Sequence, residues 1–294
     1  MERWNFRIVD VFTERPLAGN QLAVFEDATS IPEALLQALA QEIGYAETVF
    51  VYSPQDDDAR IRIFTPTSEV PFAGHPVLGT AVVIAAKLGK DRVVLETGRG
   101  PVPVHIDRTP GSATRGTMEQ PIPKFSDYDK PSAFLNALGV ECSILPVTIY
   151  DNGIPHVYAM LKRPEDVEAL KPDFSALTEL ARHSQMPLVG FNVFSGSECA
   201  WKTRMFAPAD GIAEDPATGS AAGPLALHLA RHERIPWGTE IRISQGAEIG
   251  RPSELFVRVT GDAEQVGRIE VGGFAVPVGG GWFDGDLLRA PDIT

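Results

Sequence analysis

A seven-residue pattern occurs twice in this chain, each time after a similar strand and ahead of a similar helix. Residues 75–81 read His-Pro-Val-Leu-Gly-Thr-Ala, and residues 215–221 read Asp-Pro-Ala-Thr-Gly-Ser-Ala. Ahead of them stand Arg62-Ile63-Phe64-Thr65-Pro66 and Arg204-Met205-Phe206-Ala207-Pro208. Behind each runs an alanine-rich apolar segment that reads as a helix. Such a repeat predicts two similar halves, not one continuous domain. In each copy a polar residue, His75 or Asp215, falls at the expected N-cap, with proline at the first helical position. Two helix starts present two sets of backbone N–H groups and two partly positive dipole ends. Were the halves to face each other, those ends would form one site suited to a small carboxylate.

Each half reads as α+β. The first opens with strands at Phe6–Phe12 and Leu22–Phe25, then a helix capped by Ser30 or started at Pro32 and stopped at Gly44. Strands at Thr48–Tyr52 and Arg60–Phe64 lead into the first motif copy and a helix from Pro76 to Gly89. That helix is apolar nearly all round and should be buried within its own half. The second half retraces the order with strands at Ile144–Tyr150 and Val157–Leu161 and a helical segment near Phe174–Ser184. Strands at Gly190–Ser195 and Lys202–Phe206 and a helix from Ala221 to Arg231 complete it. The expected division is 1–120 and 121–294, with the break in the Pro- and Gly-rich stretch between Thr109 and Pro131 and the last strand free to return to the first half.

Hydrophobic content of 44% and charged content of 22% over 294 residues are those of a globular protein with well-filled cores. A net charge of −13 with no basic cluster argues against nucleic acid or an anionic membrane as partner. No apolar run approaches the ~20 residues of a membrane span, and Met1-Glu2-Arg3-Trp4-Asn5 does not start a signal peptide, so a cytoplasmic location is expected. Cys142 and Cys199 show no CxxC spacing, which speaks against a disulfide framework or a zinc site. His228 and His232 lack the glutamate of an HExxH motif and read as helix surface. Gly279-Gly280-Gly281 has no phosphate-loop spacing and reads as a loop. Neither a metal nor a nucleotide cofactor is expected.

Glu47 stands just before the apolar run Thr48-Val49-Phe50-Val51. It is either a solvated strand-end charge or, if partly buried, a general base with its pKa raised toward neutrality. Asp215 either caps its helix or binds a ligand, and Glu214 reads as a pre-cap charge. His75 is a poor N-cap; a neutral imidazole there suits ligand binding. Gly74 and Gly219 allow close approach of a ligand to the backbone. Ser220 and Thr80 are expected to place hydroxyls in the first helical turn.

These residues resemble the PhzF family of phenazine-biosynthesis isomerases. The resemblance runs through Gly19-Asn20, Glu47-Thr48, Phe64-Thr65-Pro66, Glu69, and Pro71-Phe72-Ala73-Gly74-His75-Pro76. It continues through Leu78-Gly79-Thr80-Ala81, Glu214-Asp215-Pro216-Ala217-Thr218-Gly219-Ser220, Gln245-Gly246 and Gly250-Arg251-Pro252-Ser253. Ala46 stands where a serine is common in the family. The resemblance implies a diaminopimelate epimerase-like fold: two pseudo-symmetric α+β domains, each a sheet curled around a central helix, with the active site between them. It implies Glu47 as the acid/base, with His75, Asp215, Gly74, Gly219 and Ser220 lining the site. It further implies a cofactor-independent proton shift on a small cyclic carboxylate, trans-2,3-dihydro-3-hydroxyanthranilate in phenazine pathways, and a homodimer. Three alternatives stay open: an isomerase of the family acting on another unsaturated cyclic amino acid, an epimerase of the same fold, and a non-catalytic small-molecule-binding relative.

Overall fold

The computed structural model describes residues 2–54, 57–109, 113–184 and 189–289, and the chain divides into two compact units. Unit 1 combines Met1–Met118 with Gly272–Thr294, and unit 2 is Glu119–Val271. Of the stretch in which the break between halves is expected, residues 110–112 lie outside the described residues.

Unit 1 runs β1 (Arg3–Val11), β2 (Asn20–Phe25), α1 (Glu33–Ile43), β3 (Glu47–Tyr52), β4 (Ala59–Phe64) and β5 (Glu69–Val70), then α2 (Gly74–Leu88), β6 (Arg92–Thr97), β7 (Gly100–Asp107) and β8 (Thr114–Gln120). β1 pairs antiparallel with β2, β2 parallel with β3, and β3 antiparallel with β4. β4 pairs antiparallel with β5 and parallel with β6, and β6–β7–β8 follow as antiparallel neighbours. The last long strand, Val266–Asp284, pairs with β1 on one side and β8 on the other, so the sheet closes on itself. The reason lies in α2. Every residue from Gly74 to Ala85 is buried, and a helix with no polar face must be covered on all sides. It packs against β1, β2, β3, β6 and β7. The more amphipathic α1 buries Leu36, Leu39 and Ala40 beside Trp4, Phe25, Phe50 and Phe64, and ends at Gly44 with φ 69°.

Unit 2 runs β9 (Lys124–Asp127), α3 (Pro131–Leu138), β10 (Thr148–Asp151), β11 (Pro155–Met160), α4 (Pro164–Glu168), α5 (Phe174–His183), β12 (Gly190–Ser197), β13 (Ala200–Ala207) and β14 (Ile212–Asp215). Then come α6 (Gly219–Arg231), β15 (Glu240–Gln245), β16 (Ser253–Gly261) and the first part of β17 (Val266–Asp284). Its pairings repeat those of unit 1 in order: β10–β11 antiparallel, β11–β12 parallel, β12–β13 and β13–β14 antiparallel, β13–β15 parallel, β15–β16 antiparallel. Its central helix, α6, is buried from Gly219 to Ala230.

The structure corrects four readings. α2 begins at Gly74 with Ala73 as its N-cap, and α6 begins at Gly219 with Thr218 as its N-cap. The equivalent stretches are therefore Glu69-Val70-Pro71-Phe72-Ala73-Gly74-His75-Pro76 and Glu214-Asp215-Pro216-Ala217-Thr218-Gly219-Ser220-Ala221. The more obvious match of residues 75–81 with 215–221 pairs the inside of one helix with the turn before the other. Neither His75 nor Asp215 is an N-cap: His75 is the second helical residue, and Asp215 ends β14. Thr80 lies beyond the first turn of α2. Gly279, Gly280 and Gly281 are not a loop but strand residues opposite Ile8, Arg7 and Phe6, and a Cβ at Gly281 would come within 2.9 Å of the Phe6 ring.

Gly79, midway along α2, shows how tightly the helix is held. A Cβ there would lie 2.7 Å from Val11 Cγ2 and 2.8 Å from Leu22 Cδ2. Helix propensity alone would make Gly79→Ala stabilising by up to about 1 kcal/mol. Overpacking opposes that at about 1–3 kcal/mol, and the net sign expected is destabilising. Urea unfolding of the two proteins measures it; a higher midpoint for the alanine variant would contradict this packing.

Candidate active site

In unit 1, Glu47 is the first residue of β3, opposite Leu22 of β2. Its side chain is 15% exposed, and Oε2 lies 3.4 Å from Nε2 of His75, whose side chain is 5% exposed. The alternative of a solvated strand-end charge is thus set aside by burial. The far side of the imidazole is held by β2: the Asn20 amide nitrogen lies 3.3 Å from Nδ1, and the backbone of Gln21 makes a hydrogen bond to the ring. On the other side of the ring, Nε2 faces the Glu47 carboxylate. Burial pushes the His75 pKa down to about 3, so the ring is neutral near neutral pH. The pair is therefore a carboxyl group facing a neutral imidazole. The 3.4 Å separation is long for a hydrogen bond, as is common at sites that tighten around a substrate.

In unit 2, a hydrogen-bond cage fixes the turn from Asp215 to Thr218. Thr218 Oγ1 donates to the Asp215 carboxylate. Gln245 Nε2 donates to the Asp215 carbonyl at 2.8 Å and to Thr218 Oγ1 at 2.9 Å, while Thr218 N donates to Gln245 Oε1 at 3.1 Å. Gly246, with φ 78°, follows because a Cβ there would lie 2.5 Å from the Pro216 carbonyl. Ser220, second residue of α6, places Oγ 3.1 Å from His156 Nε2. His75 and Ser220 are thus counterparts, each held by the strand that precedes a parallel crossover.

The first carbonyls of α6 are bonded from outside. Gln120 donates to Gly219 O at 2.8 Å, Asn152 to Ser220 O at 2.9 Å, and Tyr158 to Ala221 O at 2.8 Å. Asn152 answers a specific need: Pro224 has no N–H, which leaves the Ser220 carbonyl without its helical donor. Neither central helix has a side-chain cap, so first-turn N–H groups can meet an anion.

Sequence reading missed two features. Glu214 is not a pre-cap charge but a buried partner of Arg204, visible only once Glu69 and Glu214 are aligned. His228 is not on the surface: it is fully buried because the sheet wraps α6, and its Nδ1 lies 3.1 Å from the Tyr150 hydroxyl. Cys142 and Cys199 are free and exposed. Among the described residues no cluster of three or more metal-binding side chains occurs, and no helix is long and apolar enough to cross a membrane.

The profile of the PhzC-PhzF family, described as "Phenazine biosynthesis-like protein", matches residues 9–281. The chain belongs to this family. A Pseudomonas aeruginosa protein named trans-2,3-dihydro-3-hydroxyanthranilate isomerase is 46% identical over 267 residues, spanning 90% of this chain and 94% of that one. The crystal structure of a PhzF-family phenazine biosynthesis protein from Bacillus anthracis superposes with TM-score 0.85 at 26% identity, over 97% of this chain and 100% of that one. A hydroxyproline epimerase from Agrobacterium vitis, 13% identical, shares the fold with TM-score 0.63 over 96% of this chain and 91% of that one. The diaminopimelate epimerase-like fold class follows from these likenesses.

The two units of this PhzC-PhzF protein differ at the head of the strand that carries Glu47. Phe64 lies opposite Thr48 and Phe206 opposite Phe191, so the counterpart of Glu47 is Gly190. A Cβ at Gly190 would come within 2.4 Å of His156 Nδ1, which leaves no room for a second carboxylate there.

His75, His156 and His228 are each held near a pKa of about 3, burial being the first cause in all three. An unfolded histidine takes up a proton near pH 6.5, while these folded ones stay neutral until about pH 3. Between those limits the unfolded state binds more protons, so stability falls as pH falls. The slope per histidine reaches about 1.4 kcal/mol per pH unit. Urea midpoints from pH 7 to pH 4 should show a shallower decline in His228→Gln than in the parent; identical slopes would remove His228 from this balance.

Proposed function

We propose that this protein is a trans-2,3-dihydro-3-hydroxyanthranilate isomerase that shuttles one proton with one carboxylate. The observation that carries the reading is 46% identity, over nearly the full length of both chains, to a protein of that name. The Glu47–His75 pair supplies chemistry that suits it. Glu47 removes a proton from a ring carbon beside a conjugated system and returns it to another carbon of the same face. A proton leaves and a proton arrives, so the step is redox-neutral and calls on no cofactor. Throughout the transfer the neutral imidazole of His75 lies beside the Glu47 carboxyl group. Asp215 and Ser220 hold the polar substituents of the substrate, and the first-turn N–H groups after Gly74 and Gly219 hold its carboxylate. Fixing the ring this way leaves the shuttle little distance to move.

Support for a single-base mechanism comes from Gly190, which denies unit 2 a copy of Glu47. Exposed Cys142 and Cys199 do not supply the paired thiols of an epimerase of this fold. The reading includes a homodimer in the cytoplasm, for which sedimentation should return about twice the 31.8 kDa chain mass.

Purified protein incubated with trans-2,3-dihydro-3-hydroxyanthranilate should change its absorbance as the conjugated ring isomerises. Glu47→Gln should lower kcat by about 10³-fold or more while calorimetry still detects ligand binding. Parent-like turnover in that variant would remove Glu47 from the mechanism. Parent protein that binds but never turns over this compound would redirect the search to another unsaturated cyclic amino acid. His75→Asn and Asp215→Asn should each raise KM and lower kcat; unchanged kinetics with lower thermal stability would assign these residues to the scaffold.

A further inference from the structure

Arg204 directs its guanidinium to two sides inside unit 2. Nε and Nη2 donate to the two carboxylate oxygens of Glu214 at 2.9 and 2.7 Å. Nη1 donates to the carbonyls of Val167, Glu168 and Leu170 at 3.2, 3.3 and 2.9 Å, at the end of α4 where helical donors run out. The two side chains are 8% and 6% exposed. A buried fork of this kind has one geometry, because the planar guanidinium and the carboxylate bond through two parallel contacts.

The same device occurs in unit 1. Arg62 on β4 donates through Nε and Nη2 to the two oxygens of Glu69 on β5, both at 2.7 Å. In each unit the arginine sits two residues before the matching phenylalanine, and the glutamate five residues before the first helical glycine. The copy in unit 1 is the more open, at 25% and 41% exposure. In both, the fork ties the short strand ahead of the central helix to its longer neighbour.

In unit 2 that strand needs the tie. The β13–β14 ladder is irregular between Met205 and Ala207, so backbone pairing alone holds β14 weakly. Along a strand, neighbouring side chains point to opposite faces. Pinning the Glu214 carboxylate therefore sets the direction of Asp215, the next residue. We propose that Arg204, through its fork on Glu214, is a positioning residue that holds Asp215 in its substrate-binding orientation. The proposal rests on the role given to Asp215 above.

A kinetic cycle tests it. Arg204→Lys keeps the charge but loses the planar fork. It should raise KM and lower kcat/KM for trans-2,3-dihydro-3-hydroxyanthranilate by about tenfold, the scale of one charged hydrogen bond. Combined with Asp215→Asn, it should cost no more than about twofold beyond Asp215→Asn alone, because both changes remove one interaction. Glu214→Gln, which preserves shape, should behave the same way and serves if the lysine variant does not fold. A purely structural role would lower the melting temperature and multiply with Asp215→Asn; that product overturns the proposal. So does kcat/KM within about twofold of the parent for Arg204→Lys or Glu214→Gln. Parent-like kinetics of Asp215→Asn by itself would instead bring down the reading of Asp215, and the fork's role with it.

Discussion

A helix without a polar face sets the terms for everything around it. α2 and α6 each bury about three turns completely, and neither could survive on the outside of a sheet. The strands of each unit answer by curling round the helix, which brings the ends of distant strands to the helix start. Glu47 from β3 and Asn20 from β2 reach His75 in this way, and Gln120, Asn152, Tyr158 and Gln245 reach the start of α6. The same helix starts are where backbone N–H groups lack intrahelical partners.

Much of this was legible in the residues. Alternation and helical spacing located the strands and both central helices, and the recurrence of Arg-x-Phe before each helix pointed to duplication. The register of the repeat was not legible from similarity alone. Gly79-Thr80-Ala81 resembles Gly219-Ser220-Ala221 in letters, but the first lies inside a helix and the second opens one. Small residues are favoured in both places for different reasons: close packing on Val11 and Leu22 in one, close approach to the backbone in the other. What distinguishes the true register is an ion pair in each unit, Arg62 with Glu69 and Arg204 with Glu214, seven and ten residues apart in sequence, which hydrophobic periodicity does not reveal. The burial of His228 was hidden for the same reason. A histidine four residues from another looks like surface until a sheet closes over both sides of the helix.

The two units keep the same connectivity and have parted in chemistry. Where unit 1 has a carboxylate at the head of β3, unit 2 has Gly190 under the ring of His156. Where unit 2 has Asp215, unit 1 has the apolar Val70. Each candidate half-site is held by polar contacts of its own, and burial keeps His75 and His156 neutral there. A scaffold copied once can diverge in this manner, one copy keeping a carboxylate where the other keeps a glycine.

The layout of the chain also bears on how the molecule is made. Unit 2 is one uninterrupted segment, Glu119–Val271, whereas unit 1 takes its closing strand from the far end of the chain. β1 lies between β2 and β17, so one of its edges stays unpaired until residues 266–284 have been synthesised. Unit 1 is therefore completed only after unit 2 has been made. During that interval the unpaired backbone edge of β1 is open to neighbouring nascent chains.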